Sequence, residues 1–210
     1  MLIRCHMLGK IMTEPKEKKE VLSVGAKTIL KSLAKQEFYG FENRVDGKYT
    51  DKGLIVEQQS IDLYNSVFFT NYQKNTERRN NKWLTGECDI FKGKDIGTTD
   101  IKSSWSLATF PALSEDAHDK EYEWQGRGYM MLWDTCQHEV AHCMVNTPDE
   151  LIKYEDQGLH YVDHIPKERR ITLIAYERDE KLEALIRVKC EAAQEYYQRV
   201  IEQINKEHDL

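Results

Sequence analysis

Two acids and a lysine stand at spacings that could carry out hydrolysis. Asp89 closes Gly86-Glu87-Cys88-Asp89, and Asp100-Ile101-Lys102 follows about one hairpin later. Strand side chains alternate faces, so Asp100 and Lys102, two apart, share a side if this run is a strand. If the segment around Asp89 pairs with it, two carboxylates and an ammonium converge on one spot. Hard oxygen ligands of this kind suit magnesium or manganese. Such an ion lowers the pKa of a bound water and neutralises a phosphate, while a nearby lysine orients the water and stabilises developing charge. An acid-x-Lys triplet alone is a common accident, and the two acids read equally as hairpin-end residues or members of a surface ion pair.

A third carboxylate strengthens the pattern. Leu54, Ile61, Tyr64 and Phe68 predict one apolar helix face, and Glu57 falls on it. A carboxylate turned toward a core is costly unless it is paired or bound to a cation. Near a helix start it can instead snorkel or be favoured by the dipole; beside an acid cluster a metal-facing role is the better reading. In Trp124-Gln125-Gly126-Arg127-Gly128-Tyr129, Gln125 and Tyr129 are one helical turn apart and share a face. That amide and phenol could hold DNA or the lysine, although a Gln beside a core Tyr is common.

The elements that must position these residues follow from periodicity. Residues 20–37 predict an amphipathic helix with Leu22, Ala26, Ile29, Leu30 and Leu33 on one face, and 53–69 a second helix. Trp83 to Phe91 and Gly97 to Ser103 predict two strands joined by the turn Lys92-Gly93-Lys94-Asp95. Pro111 to Lys120 predicts a loop, and 121–134 a helix despite Gly126 and Gly128. Glu139 to Asn146 predicts a strand. Thr147-Pro148-Asp149-Glu150 predicts a helix start with Thr147 as N-cap. Arg170 to Glu177 predicts a strand and 180–207 a closing helix. Helices alternating with strands in this way imply an α/β core with a mixed sheet.

Composition bounds the reading. The 210 residues suffice for one domain with a real core, and 40% hydrophobic with 31% charged content is that of an ordinary globular chain. No apolar run approaches the roughly 18 residues that span a bilayer, and the start Met1 to His6 lacks a signal peptide's apolar stretch, so the expected location is cytoplasmic and no membrane partner is expected. Five cysteines, at 5, 88, 136, 143 and 190, without a CxxC argue against a disulfide framework and an iron–sulfur cluster. The net charge of −6 counts mildly against nucleic acid, but distribution matters more than the sum. Basic clusters occur at Lys16 to Lys19, at Lys27, Lys31 and Lys35 in helical spacing, at Arg78-Arg79 with Lys82, and at Lys167 with Arg169-Arg170. Each alone is a solvated face; together they could line a groove, with Lys27, Lys31, Arg78 and Arg79 the candidates for holding phosphates.

A competing motif is His138-Glu139-Val140-Ala141-His142, a formal match to the zinc-protease pattern. That mechanism needs a helix, which puts both histidines on one face with the Glu as base. The apolar flanks predict a strand instead, which would hold the histidines about 13 Å apart, too far to share one zinc. Glu155, His160 or His164 could supply a third ligand, although both of these histidines are expected in an exposed loop.

Glu57, Gly86-x-x-Asp89, Asp100-Ile101-Lys102 and Gln125-x-x-x-Tyr129 stand in the order of the PD-(D/E)XK nuclease superfamily, which this chain resembles over about residues 8–135. The Gln-x-x-x-Tyr element is similar to that of the RecB-like and lambda-exonuclease (YqaJ-like) branch. Leu8-Gly9-Lys10-Ile11-Met12-Thr13 and Leu22-Ser23-x-Gly25-Ala26 look like phage-type members. The resemblance implies a restriction-endonuclease-like α/β core with a mixed central sheet flanked by helices: helix, three-stranded hairpin sheet, helix and strand. It implies one nuclease domain over 1–210, with an N-terminal helical part (1–50), a catalytic core (about 51–146) and a C-terminal helix-strand-helix (147–210). It implies Glu57, Asp89, Asp100 and the Ile101 carbonyl as ligands of Mg2+ (or Mn2+), Lys102 as the catalytic lysine, and Gln125 and Tyr129 as support. The expected activity is an exonuclease on DNA ends in phage recombination or replication, acting in the host cytoplasm if phage-encoded. The resemblance is compatible with a homo-oligomer and with a single-strand annealing protein as partner, and the residues themselves specify neither. The acidic balance departs from the expected pattern, and the missing cysteine cluster excludes the iron–sulfur subgroup. A non-catalytic DNA-binding protein on the same fold is the remaining alternative, and the presence of every expected catalytic residue ranks it below cleavage.

Overall fold

The computed structural model describes residues 1–43 and 47–208. Its centre is a four-stranded mixed sheet in the order β4-β5-β6-β7. The strands are β4 (Ile90–Gly93), β5 (Gly97–Ser103), β6 (Gln137–Cys143) and β7 (Ile171–Glu177). β4 and β5 form an antiparallel hairpin with Ile90 opposite Thr99. Gly97, at φ +135°, makes its turn; a Cβ there would also lie 2.5 Å from the Gln137 carbonyl oxygen. β5 and β6 are parallel, with Lys102 beside His142, and β7 runs antiparallel to β6.

Three short strands, β1 (Ile3–Arg4), β2 (Arg79–Asn80) and β3 (Leu84–Gly86), form a second sheet in the order β1-β3-β2. The expected strand from Trp83 to Phe91 is therefore two. The chain leaves one sheet after Gly86 and enters the other at Ile90, and Asp89 lies in the crossing. The expected three-stranded hairpin sheet is likewise divided between the two sheets.

Helices cover both faces of the central sheet. α3 (Lys48–Phe68) packs Val56, Ile61 and Tyr64 against Ile90, Ile101 and Ala141. α4 (Lys120–Trp133) closes the opposite face with Met130 against Val140 and Tyr176. Asp119 caps α4 by accepting from the Glu121 N–H. Gly126 and Gly128, which weaken the helical expectation, are needed for contact: a Cβ on Gly126 would meet His138 at 2.1 Å, and one on Gly128 would meet Leu8 at 2.7 Å.

α1 (Leu8–Ile11), α2 (Val24–Tyr39) and α6 (Glu180–His208) form the remaining layer with the small sheet, around Ile3, Leu8, Leu30, Leu84 and Ile186. α2 begins at Ser23, whose hydroxyl accepts from the Ala26 N–H, and ends at Gly40 in the left-handed region. The short α5 (Asp149–Ile152) lacks the expected cap. The Thr147 hydroxyl instead donates to the Trp105 carbonyl and meets His160, so it is not free to cap. No helix is long and apolar enough to cross a membrane among the described residues.

Two further expectations are corrected. The inward face of α3 is Lys52, Val56, Ser60, Ile61, Leu63 and Tyr64; Leu54 is 72% exposed and Phe68 38% exposed, so Glu57 is half-buried at the edge of the apolar face rather than within it. His160 is fully buried rather than in an exposed loop.

Candidate active site

Asp100 and Lys102 point to the α4 side of β5, and Lys102 Nζ donates to Asp100 Oδ2 at 2.9 Å. Asp89 reaches the same place from the crossing before β4: its Oδ2 accepts from the Ile101 N–H at 2.6 Å. Burial, then the Asp100 charge, pushes the Asp89 carboxyl well above the usual carboxylate range. Burial pulls the Lys102 ammonium down, but Asp100 and Asp89 outweigh it and hold its pKa above the ordinary value. The Lys102 ammonium also lies 4.6 Å from the ring centre of Tyr122.

Gln125 and Tyr129 are buried on the same face of α4, with the Gln125 amide donating to the Tyr129 hydroxyl at 2.9 Å. Burial, and next the charge of Asp100, raises the Tyr129 phenol. Gly86 permits the approach, since a Cβ there would lie 2.8 Å from the Tyr129 ring. Glu57 comes from α3 and pairs with Lys74. It is close enough for its charge to add to the rise of Asp89, and the backbone N–H of the neighbouring Asn75 donates to the Asp89 carbonyl.

The donor chemistry fits a hard divalent cation. Every candidate ligand is an oxygen, and a cation would favour the ionised form of the Asp89 carboxyl that burial and Asp100 disfavour. With Glu57 turned to Lys74, no three His, Cys, Asp or Glu side chains stand as a ready cation-holding group among the described residues.

The phosphate-binding candidates separate. Arg78 pairs with Glu87; the His6 imidazole is depressed by burial first, then by Arg4, Lys102 and Arg78. Arg79 is held by Glu77 and lies over the rings of Phe91 and Trp133. Lys27 and Lys31 ride on α2, which packs on α6 rather than on the acid-bearing strands; Lys27 is paired with Glu20.

Two neighbours of the site, Tyr122 and His6, are not among the sequence candidates, and a third, His142, enters there only through the zinc-protease motif. Tyr122 and His142 line an open cleft of about 570 Å3 that begins at Lys102 and runs between β5 and the first turns of α3. His6 sits on a 3-10 turn (Cys5–Met7). Tyr122 carries a legible signal, being three before Gln125 and seven before Tyr129 on one helix face; His6 carries none.

His138-Glu139-x-x-His142 lies on β6, as its flanks predict. The His138 ring is buried against Gly126 and bonds Thr98, while Glu139 points through the other face to Tyr64 and Lys92. The two sides of a strand cannot cooperate in a zinc-protease site, so the motif does not form one.

No family model matches the chain, and no curated protein does. Among solved structures, it is similar to a phage-related exonuclease from Haemophilus somnus 129PT, at 34% identity and a TM-score of 0.91 over 97% of this chain and 96% of that one. It is also similar in fold to an alkaline exonuclease from Laribacter hongkongensis, at 15% identity and a TM-score of 0.73 over 98% and 92% of the two chains. The structure of that enzyme in complex with dAMP gives 15% identity and a TM-score of 0.71, over 98% and 92%.

Proposed function

The chain belongs to the family of phage-related exonucleases, in the lambda-exonuclease-like (YqaJ-like) branch of the PD-(D/E)XK nucleases, and from that premise we propose that it is a magnesium-dependent DNA exonuclease. The observation that carries this reading is the convergence of Asp89, Asp100 and Lys102 at the head of an open cleft. Asp89, Asp100, the Ile101 carbonyl and Glu57, once released from Lys74, would hold the ion. Magnesium or manganese there supplies an activated water and neutralises the phosphate. Lys102 orients that water and stabilises the charge that develops on the phosphate. Tyr129, fixed by Gln125, backs the carboxylates and excludes solvent. Arg78 would hold a phosphate at the rim, and Lys27, Lys31 and Arg79 phosphates further along the duplex. The phage family supports a role in recombination or replication.

Linear and covalently closed circular duplex, each incubated with Mg2+, test this reading. Degradation of the linear form alone supports an end-dependent exonuclease. Linearised or nicked circles would make the enzyme an endonuclease, and two intact substrates would remove the catalytic reading.

A further inference from the structure

The wall of the cleft beyond Lys102 is held by a buried ammonium, a buried imidazole and a surface carboxylate that the hydrolytic site does not use. Lys52, in the first turns of α3, is fully buried, yet none of its hydrogen bonds is to a carboxylate. Its ammonium donates to the carbonyls of Ser104 at 2.6 Å, Trp105 at 3.1 Å and Val145 at 3.0 Å. These carbonyls lie just past the ends of the parallel strands β5 and β6, so one cation ties both strand ends to the helix. Burying a lone ammonium is expensive, and here it fixes the backbone that follows Lys102.

Trp105 is held at its other end as well. Its indole N–H donates to Glu155 at 2.8 Å, and its carbonyl accepts from the Thr147 hydroxyl at 2.9 Å. Glu155 in turn meets the buried His160 at 3.2 Å and pairs with Lys48, whose ammonium lies 4.6 Å from the Trp105 ring centre. His160 closes the circuit on Thr147 at 3.0 Å. A surface loop needs none of this. Residues Lys102 to Trp105 form one side of the cleft, and the contacts that fix it come from behind.

We propose that Lys52, Glu155 and Trp105 are positioning residues that set the cleft wall against which the DNA strand lies. This rests on the nuclease reading of the cleft. Lys102 itself lies within the sheet and keeps its place without them. Loosening the wall therefore weakens binding of ground state and transition state alike, which raises KM and leaves kcat nearly unchanged.

The test measures steady-state cleavage with Mg2+ and, separately, equilibrium binding of a fluorescent oligonucleotide with Ca2+. Trp105→Phe keeps a ring and loses the bond to Glu155; Glu155→Ala loses the acceptor. Each should raise KM and the dissociation constant about ten-fold, the value of one charge-assisted hydrogen bond, with kcat within about two-fold. Glu155→Gln keeps an oxygen for the indole and should recover most of the loss. A merely structural role would lower Tm and the active fraction without moving KM. Unchanged KM and binding in both variants would overturn the proposal, as would a Glu155→Gln no better than Glu155→Ala. Binding without cleavage by the unmodified protein would defeat the nuclease reading alone, and the binding arm would still decide the wall. No DNA binding at all would defeat both.

Discussion

The Asp89 carboxylate accepts a 2.6 Å hydrogen bond from the backbone N–H of Ile101, the residue between Asp100 and Lys102. One bond thus locks an acid from the sheet crossing to the centre of the acid-x-Lys run. It does so against electrostatic cost, because Asp89 and Asp100 repel and both are largely withdrawn from water. Asp89→Asn removes that repulsion while its amide oxygen can still accept from Ile101. The metal-free variant should therefore melt a few degrees above the unmodified protein and cleave DNA at less than about 1% of its rate. Calorimetric melting and a nuclease assay on the same sample check the pair of outcomes.

Lys102→Met keeps much of the side chain's length and removes the charge that touches Asp100. Since its role falls in the transition state, kcat should drop roughly 10²- to 10⁴-fold with little change in KM. A variant with full activity would refute the role assigned to this lysine.

Stability should fall in mild acid through His138. Burial lowers its pKa to about 4, so in the folded protein the ring stays neutral through a range where the unfolded chain takes up a proton at its ordinary value of about 6.5. The contribution is fully present above pH 6.5 and is lost as pH falls toward 4, by about 3 kcal/mol in all. The charged groups felt by the ring are Asp100 and Glu139, which favour its proton, and Lys102 and Lys92, which oppose it. Urea unfolding at pH 7 and pH 5 should show a smaller decline for His138→Gln than for the unmodified protein; equal declines would contradict the assignment.

Gly126→Ala opposes two effects. Alanine favours a helix over glycine by about 1 kcal/mol, but its methyl would lie 2.1 Å from a His138 ring hemmed by Thr98 and Tyr129. Overpacking costs roughly 1–3 kcal/mol or more, so the clash should win and Tm should fall. A raised Tm would mean that the ring can move aside.

Much of the site was legible because its residues are local. Asp100 and Lys102 follow from period-two alternation in one strand, and Gln125 with Tyr129 from one turn of helix. The break between Gly86 and Ile90 was not legible, because three residues that cross between sheets look like a continuous strand. The inward face of α3 is not legible because charged residues are almost never fully buried, yet Lys52 joins the core by binding carbonyls 52 and more residues away. The burial of His160 has the same cause: its partners Thr147 and Glu155 meet it only after the loop folds.

The central claim is that a cation held by Asp89 and Asp100 drives hydrolysis from DNA ends. It is tested most directly with linear duplex labelled separately at the 5′ and 3′ ends, incubated with Mg2+, with Mg2+ and excess chelator, and with an Asp100→Asn variant. The predicted result is release of short products from one labelled end, lost in chelator and reduced at least about 100-fold in Asp100→Asn. Cleavage that persists in chelator or in the variant, or duplex that stays intact throughout, would contradict it.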